Sequence, residues 1–136
     1  MSSNFSLANL AAPTNVSGAP FGLDIKALQD SLKEKPGVAL YVARDDKTAA
    51  TALKLAEFLA PDMDRVLLPG WDILPYDRVS PSAAVASQRC AALSRIAQQP
   101  ADGKPLLVIT TGSSLIQRLP PRETMKAASF SMTVGK

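Results

Sequence analysis

Apolar residues in this chain follow two rhythms, and the switch from one to the other predicts its elements. Three short runs are almost continuously apolar: Val-Ala-Leu-Tyr-Val-Ala at 38–43, Val-Leu-Leu at 66–68 and Leu-Leu-Val-Ile-Thr at 106–110. Runs of that length without polar alternation suit parallel strands covered on both faces. Between them the apolar spacing widens to that of amphipathic helices. Ile25, Leu28 and Leu32 recur within 22–35, and Ala49, Leu53, Ala56 and Leu59 or Ala60 within 47–59. Val85, Ala92, Leu93 and Ile96 then lie within a helix that runs to about Gln98.

Local punctuation supports these boundaries. Asp24 suits the first turn of the first helix, and Pro36-Gly37 ends it. Asp45 or Asp46 can cap the second helix, and Pro61 stops it. Ser80 before Pro81 reads as the cap and first-turn proline of the third. A short helix is expected over 112–118, stopped by Pro120-Pro121. A short strand is expected at 16–18. A half-buried one is expected where Phe130, Met132 and Val134 alternate with Ser131 and Thr133.

Strands alternating with helices imply right-handed βαβ units: an α/β fold in three layers, a mostly parallel sheet with flanking helices. The expected organisation is a loose lead-in at 1–15, one α/β domain at 16–129, and the truncated start of a following element at 130–136. No internal repeat or heptad pattern is present.

Composition narrows the function classes. The 136 residues are 46% hydrophobic and 20% charged, enough for one domain with a single core. The net charge of +3 permits nucleic-acid contact without arguing for it. No apolar run approaches the roughly 18 residues of a membrane helix, and no charged segment precedes an apolar one at the N-terminus. A membrane partner is therefore not expected. Cys90 is the single cysteine, which excludes an internal disulfide and fits a cytoplasmic location. The chain has no histidine, which removes Ser-His-Asp and Cys-His catalysis and His-ligated metal sites. No catalytic residue, metal or cofactor is expected in this chain.

Three segments carry candidate chemistry. Ser17-Gly18-Ala19-Pro20-Phe21-Gly22-Leu23 lies where a nucleotide-binding α/β fold would carry its phosphate loop. A working loop needs G-x-x-x-x-G-K-[ST], whose amides cradle phosphate, whose Lys neutralises charge and whose hydroxyl binds Mg²⁺. Gly18, Ala19, Pro20 and Gly22 keep the glycines but lack the Lys-Ser/Thr pair, and Lys26 comes a turn too late. This reads as a degenerate P-loop NTPase or RecA-like fold.

The second segment is the loop at 69–81, with Trp71, Leu74, Pro75, Tyr76 and Asp77. It follows a strand, where open α/β sheets bind ligands. It is either a recognition loop for DNA or protein, or an aromatic plug over the end of the core; the plug is favoured. The third is Thr111 and Ser113, with Arg118 beyond them. These could contact an anion or simply cap a helix, and capping is favoured. Arg89, Arg95, Arg118 and Arg122 could form a basic surface, but scattered solvated charge is favoured. Cys90 is expected to be an inert buried thiol. Asp45-Asp46 reads as a helix cap, not a metal pair.

The run from Leu68 to Asp77, Leu-Pro-Gly-Trp-Asp-Ile-Leu-Pro-Tyr-Asp, then Ser80-Pro81 and a helix with Ser87-Gln88-Arg89, resembles bacterial transcription-repair coupling factors (Mfd). Val108-Ile109-Thr110-Thr111 leading to Leu115-Ile116-Gln117-Arg118-Leu119-Pro120-Pro121 is similar to a later segment of the same family. The resemblance covers about 16–136. It implies a large cytoplasmic ATP-dependent DNA translocase that displaces stalled RNA polymerase and recruits UvrA for nucleotide excision repair.

It further implies that this chain is the first part of an N-terminal module similar to the excision protein UvrB. UvrB keeps a working Walker A loop there; this chain does not. ATP and Mg²⁺ would then belong to distant motor domains. Other domains of the parent, UvrA, RNA polymerase and DNA would be partners only through the parent chain. The UvrA surface lies mainly in the following domain, and UvrB's DNA-clamping hairpin has no counterpart here. The expected role is a non-catalytic interaction scaffold. The alternatives are a small NTPase with a noncanonical loop at 18–22, or a weak DNA-binding module using Trp71, Tyr76 and the arginines.

Overall fold

The computed structural model describes residues 12–73, 78–100 and 103–130. Its elements run α1 (Leu23–Glu34), β1 (Val38–Ala43), α2 (Asp46–Leu59), β2 (Asp64–Leu68), α3 (Ala83–Gln98), β3 (Leu106–Thr111), α4 (Gly112–Leu115) and α5 (Arg122–Ala128). The three strands are parallel in the order β1-β3-β2. β3 is central, and every one of its residues is buried. Leu106, Leu107 and Ile109 are fully buried, each contributing about 1.5–3 kcal/mol of transfer free energy.

Connection handedness then places the helices. The chain passes from β1 across to β2 and returns to β3, so right-handed crossovers put α2 and α3 on opposite faces. On the first face, Ile25 and Leu32 of α1 and Ala49, Ala52 and Ala56 of α2 pack on Leu107 and Ile109. The alanines let α2 lie close to the sheet. Arg65 of β2 donates to the carbonyls of Ala56 and Ala60 at the end of α2, at 3.0 and 2.9 Å. On the second face α3 packs on β2, and Arg95 of α3 pairs with Asp64.

Caps explain where the helices start. Asp45 accepts from the Thr48 amide at 2.7 Å and begins α2. Ser82, not Ser80, caps α3, accepting from the Val85 amide at 3.3 Å. The start moves because the Ser82 amide is itself held by the Asp72 carboxylate.

Several expectations are corrected. The 16–18 run forms no strand: Val16 is exposed, Gly18 takes φ 71 and Pro20 follows, which interrupts any ladder. β1 is an edge strand covered on one face only, with Val38, Leu40 and Val42 about half exposed, because no described element lies over that side. β2 is also an edge strand and only half-buried. The short helix after β3 ends at Leu115.

The Pro120-Pro121 pair, read as a stop, also precedes α5, with Pro121 at its N-cap. Arg122 fastens α5 to the end of α3 by donating to the Ala97 and Gln99 carbonyls at 3.0 and 2.7 Å. That places a cation on the carbonyl end of a helix, where it is favoured. The strand expected at 130–134 and positions 1–11 of the lead-in expected at 1–15 lie outside the described residues, apart from Phe130, which is exposed and not in a strand.

Candidate functional site

At the carboxyl end of β2 the chain turns into the segment at 69–73, and an arginine from α3 fixes it there. Arg89 lies on the stripe of α3 that faces the sheet, in step with Val85, Ala92 and Ile96, and is 2% exposed. Its guanidinium donates to the Pro69 carbonyl and to Ser114 Oγ, the latter at 3.1 Å. Ser114 Oγ also donates to the Pro69 carbonyl, at 3.2 Å. The Trp71 ring lies over the guanidinium, 4.6 Å from Arg89 Cζ to the ring centre, a cation–π arrangement. Burial pulls the Arg89 guanidinium down from its ordinary value, and its Nε is buried with no partner.

The segment is pinned at two further points. The Trp71 amide donates to Gln117 Oε1 at 3.2 Å. The Ser82 amide donates to both Asp72 carboxylate oxygens, and these bonds hold that carboxyl below its usual range. A hollow of about 320 Å³ opens beside this segment, lined among others by Asp46, Ala49, Leu68, Trp71, Asp72 and Thr111. It occupies the crevice beyond the strand ends where α/β sheets take ligands. Two of its walls are carboxylates, so it disfavours phosphate. Leu74, Pro75, Tyr76 and Asp77 lie outside the described residues.

Thr111 is buried, and its Oγ1 lies 3.0 Å from Ser113 Oγ, so the two hydroxyls engage each other. Thr111 is the N-cap of α4 by position but makes no side-chain cap bond. Arg118 is exposed, and no hydrogen bond or ion pair among the described residues ties it to either hydroxyl.

The glycine loop leads straight into α1. Gly22 is the N-cap with φ 98. The Leu23 amide is taken by the Pro20 carbonyl at 3.1 Å, and the Lys26 amide by the Gly22 carbonyl at 3.1 Å. Asp24 Oδ1 accepts from the Ile25 amide and its Oδ2 from the Tyr41 hydroxyl, both at 2.8 Å. A resident carboxylate thus occupies the helix end. Burial, reinforced by this bond and by the Asp24 charge, pushes the Tyr41 hydroxyl up to about 12. Lys26 pairs with Asp30, one turn along α1. Gly18 takes φ 71, while Ala19 and Pro20 line an apolar hollow of about 410 Å³ with Val16, Phe21, Leu23 and Leu28.

Two expectations about surface chemistry are corrected. Of the four arginines read as solvated charge, Arg89 is buried, Arg95 pairs with Asp64 and Gln99, and Arg122 holds helix-end carbonyls. Cys90, expected to be buried, is exposed, because it follows Arg89 and so falls off the inward stripe. Sequence reasoning missed the roles of Arg89, Ser114, Gln117 and the Asp24–Tyr41 pair. For Arg89 the signal was its position on the apolar stripe. Among the described residues, no group of three or more His, Cys, Asp or Glu is placed to hold a metal. No described helix is long and apolar enough to cross a membrane.

The chain is similar to transcription-repair-coupling factors. The factor of Haemophilus influenzae is 30% identical over 105 residues, 77% of this chain and 9% of that protein. That of Rickettsia bellii is 30% identical over 82 residues, 60% of this chain and 7% of that protein. That of Mycobacterium tuberculosis is 40% identical over 73 residues, 51% of this chain and 6% of that protein. The chain therefore spans less than a tenth of the length of the coupling factors it matches. No protein-family model and no solved structure matches it.

Proposed function

We propose that this chain is a non-catalytic interaction domain of a transcription-repair coupling factor, corresponding to the first subdomain of a UvrB-like module. In this reading ATP hydrolysis, DNA translocation, polymerase displacement and UvrA recruitment belong to the parent protein, and the chain positions neighbouring domains. The similarity to coupling factors supports the assignment to such a protein. The observation that carries the non-catalytic reading is the start of α1. Asp24 holds the Ile25 amide where a phosphate oxygen would need it, and the loop offers no lysine at the position a P-loop requires. Nucleotide phosphates would meet a carboxylate and an apolar hollow.

Calorimetry of the whole chain with Mg²⁺ and ATP tests this reading. No heat of binding is expected at millimolar ATP. Saturable binding would overturn it in favour of a noncanonical NTPase. The DNA-binding alternative loses support because Arg89, Arg95 and Arg122 are committed to internal bonds.

A further inference from the structure

β1 ends the sheet on one side, and its main chain defines what that edge can take. The Leu106 amide donates to the Gly37 carbonyl at 3.0 Å, in register with the pairing of Val38 to Leu106. In a parallel ladder successive residues turn their N–H and C=O alternately to one neighbour and the other. Ala39, Tyr41 and Ala43 therefore face β3, and Val38, Leu40 and Val42 turn theirs outward. Among the described residues β1 pairs with β3 alone. A row of outward donors and acceptors is matched by water or by another strand. The two edges of the sheet differ in this respect. β2 carries Asp64 and Arg65, and such charges guard an edge. The six residues of β1 include no charge, proline or glycine.

Topology leaves a place for a strand there. α1 and α2 pack on the same face of the sheet. On that face the chain moves inward, from β1 through α2 to β2. Right-handed crossovers on one face advance in one direction, so a strand leading into β1 through α1 belongs outside β1. No described residue before α1 forms a strand. The widths agree. α2 meets all three strands, and α1 lies against α2 and β1. Two helices about 10 Å across cover about four strands spaced about 4.8 Å apart, one more than the sheet has. α1 also keeps an apolar flank: Leu23, Ala27 and Leu28 line the hollow of about 410 Å³ whose Asp24 is bonded to Tyr41 of β1.

We propose that the outer edge of β1 accepts one further β-strand from a partner protein. The occupant is an extended segment with apolar side chains at alternate positions, paired main chain to main chain with Val38, Leu40 and Val42 beside α1. The inference deepens the interaction-domain reading and rests on it. It is tested without nucleotide, so ATP binding would undo that reading while leaving this experiment's result to stand on its own.

Amide hydrogen exchange of the full chain reads this edge residue by residue. In the chain alone, Val38, Leu40 and Val42 are expected to exchange faster than Ala39, Tyr41 and Ala43. The probe is a peptide of about nine residues in which Thr and Val alternate between terminal lysines, at up to about 1 mM. Its control is the same peptide N-methylated throughout. The first is expected to slow the three outward amides by about ten-fold. The second, which has no main-chain donors, is expected to leave them unchanged. Leu40→Pro removes one outward N–H and no ladder bond. It is expected to weaken peptide binding by about ten-fold. A thermal melt checks that this variant folds; if it does not, the two peptides on the unaltered chain decide. No slowing by the first peptide, or equal slowing by both, would overturn the proposal. So would outward amides already protected in the chain alone. Protection that survives dilution would assign the edge to a segment of this chain, and protection lost on dilution to a second copy.

Discussion

Arg89 lies beneath the Trp71 ring, its guanidinium carbon 4.6 Å from the ring centre, and one of its nitrogens holds the Pro69 carbonyl. The pair joins α3 to the segment leaving β2, and through Ser114 to the start of α4. Three elements at the carboxyl end of the sheet thus depend on one side chain. Arg89→Ala removes charge-assisted bonds, leaves the Pro69 carbonyl to Ser114 alone and opens a void. The expected loss is about 3 kcal/mol. Arg89→Lys keeps the charge but gives up the planar guanidinium that stacks beneath Trp71, so an intermediate loss is expected. Urea denaturation of the two variants measures both. A loss from Arg89→Ala within experimental error of zero would mean that the cradle adds nothing to stability.

Asp45 gives the fold a dependence on acid. The Thr48 amide holds its carboxyl below the ordinary range, with a smaller contribution from Arg44. A carboxyl depressed in the folded state stabilises the fold above its unfolded pKa, and that stabilisation is lost as pH falls through the folded value. Asp45→Ala is therefore expected to melt at a lower temperature than the parent at neutral pH. The gap should narrow as pH falls from about 5 to about 2. Asp45→Asn, which can still accept from Thr48, should melt closer to the parent at neutral pH. Melting curves across that range measure this, and a gap that stays constant would assign the effect to something other than the ionised cap.

Much of this fold was legible because single signals were enough. Asp45 before a helical spacing marked α2, and the run at 106–110 marked the central strand. What was not legible depended on position across the sheet. The run at 38–43 reads as apolar on both sides, yet only Ala39, Tyr41 and Ala43 face the core. A continuous apolar run cannot say whether a helix lies over each face. The arginines misled for a related reason. Polarity suggests solvent, but Arg89 and Arg122 are drawn inward by carbonyls that only the fold brings near. The α1 carboxylate was expected to serve the helix end; that it would also accept from Tyr41, seventeen positions away, was beyond reach of spacing.

Tyr41 should show itself in alkali. Burial and the bond to Asp24 favour its protonated form and push its pKa to about 12. A hydroxyl with a raised folded pKa stabilises the fold fully below its unfolded value near ~10, and the contribution is lost as pH rises towards the folded value. Titration of tyrosinate absorbance is expected to contain a late component, and Tyr41→Phe should remove it. The same substitution should lower stability at neutral pH by about 0.5–1 kcal/mol, the ordinary net value of one hydrogen bond. A tyrosinate titration complete near the unperturbed value would contradict the bond to Asp24.

Gly22 tests why the glycine loop keeps its glycine although no phosphate chemistry requires it. Its φ of 98 lies in the left-handed region, and an added Cβ would sit 3.5 Å from Leu55 Cδ1, an ordinary contact. The penalty for Gly22→Ala is therefore backbone strain, not collision, and is expected to be about 1–2 kcal/mol. Gly37 supplies the comparison. It has no positive φ, and open space lies where its Cβ would be. Gly37→Ala is expected to be neutral or to stabilise by up to about 1 kcal/mol through the unfolded chain. Equal denaturation midpoints for the two variants would mean that Gly22 does not need its left-handed geometry. A selective loss at Gly22 would tie that glycine to the entry angle of α1, and so to the packing of Ile25 and Leu32 on the sheet.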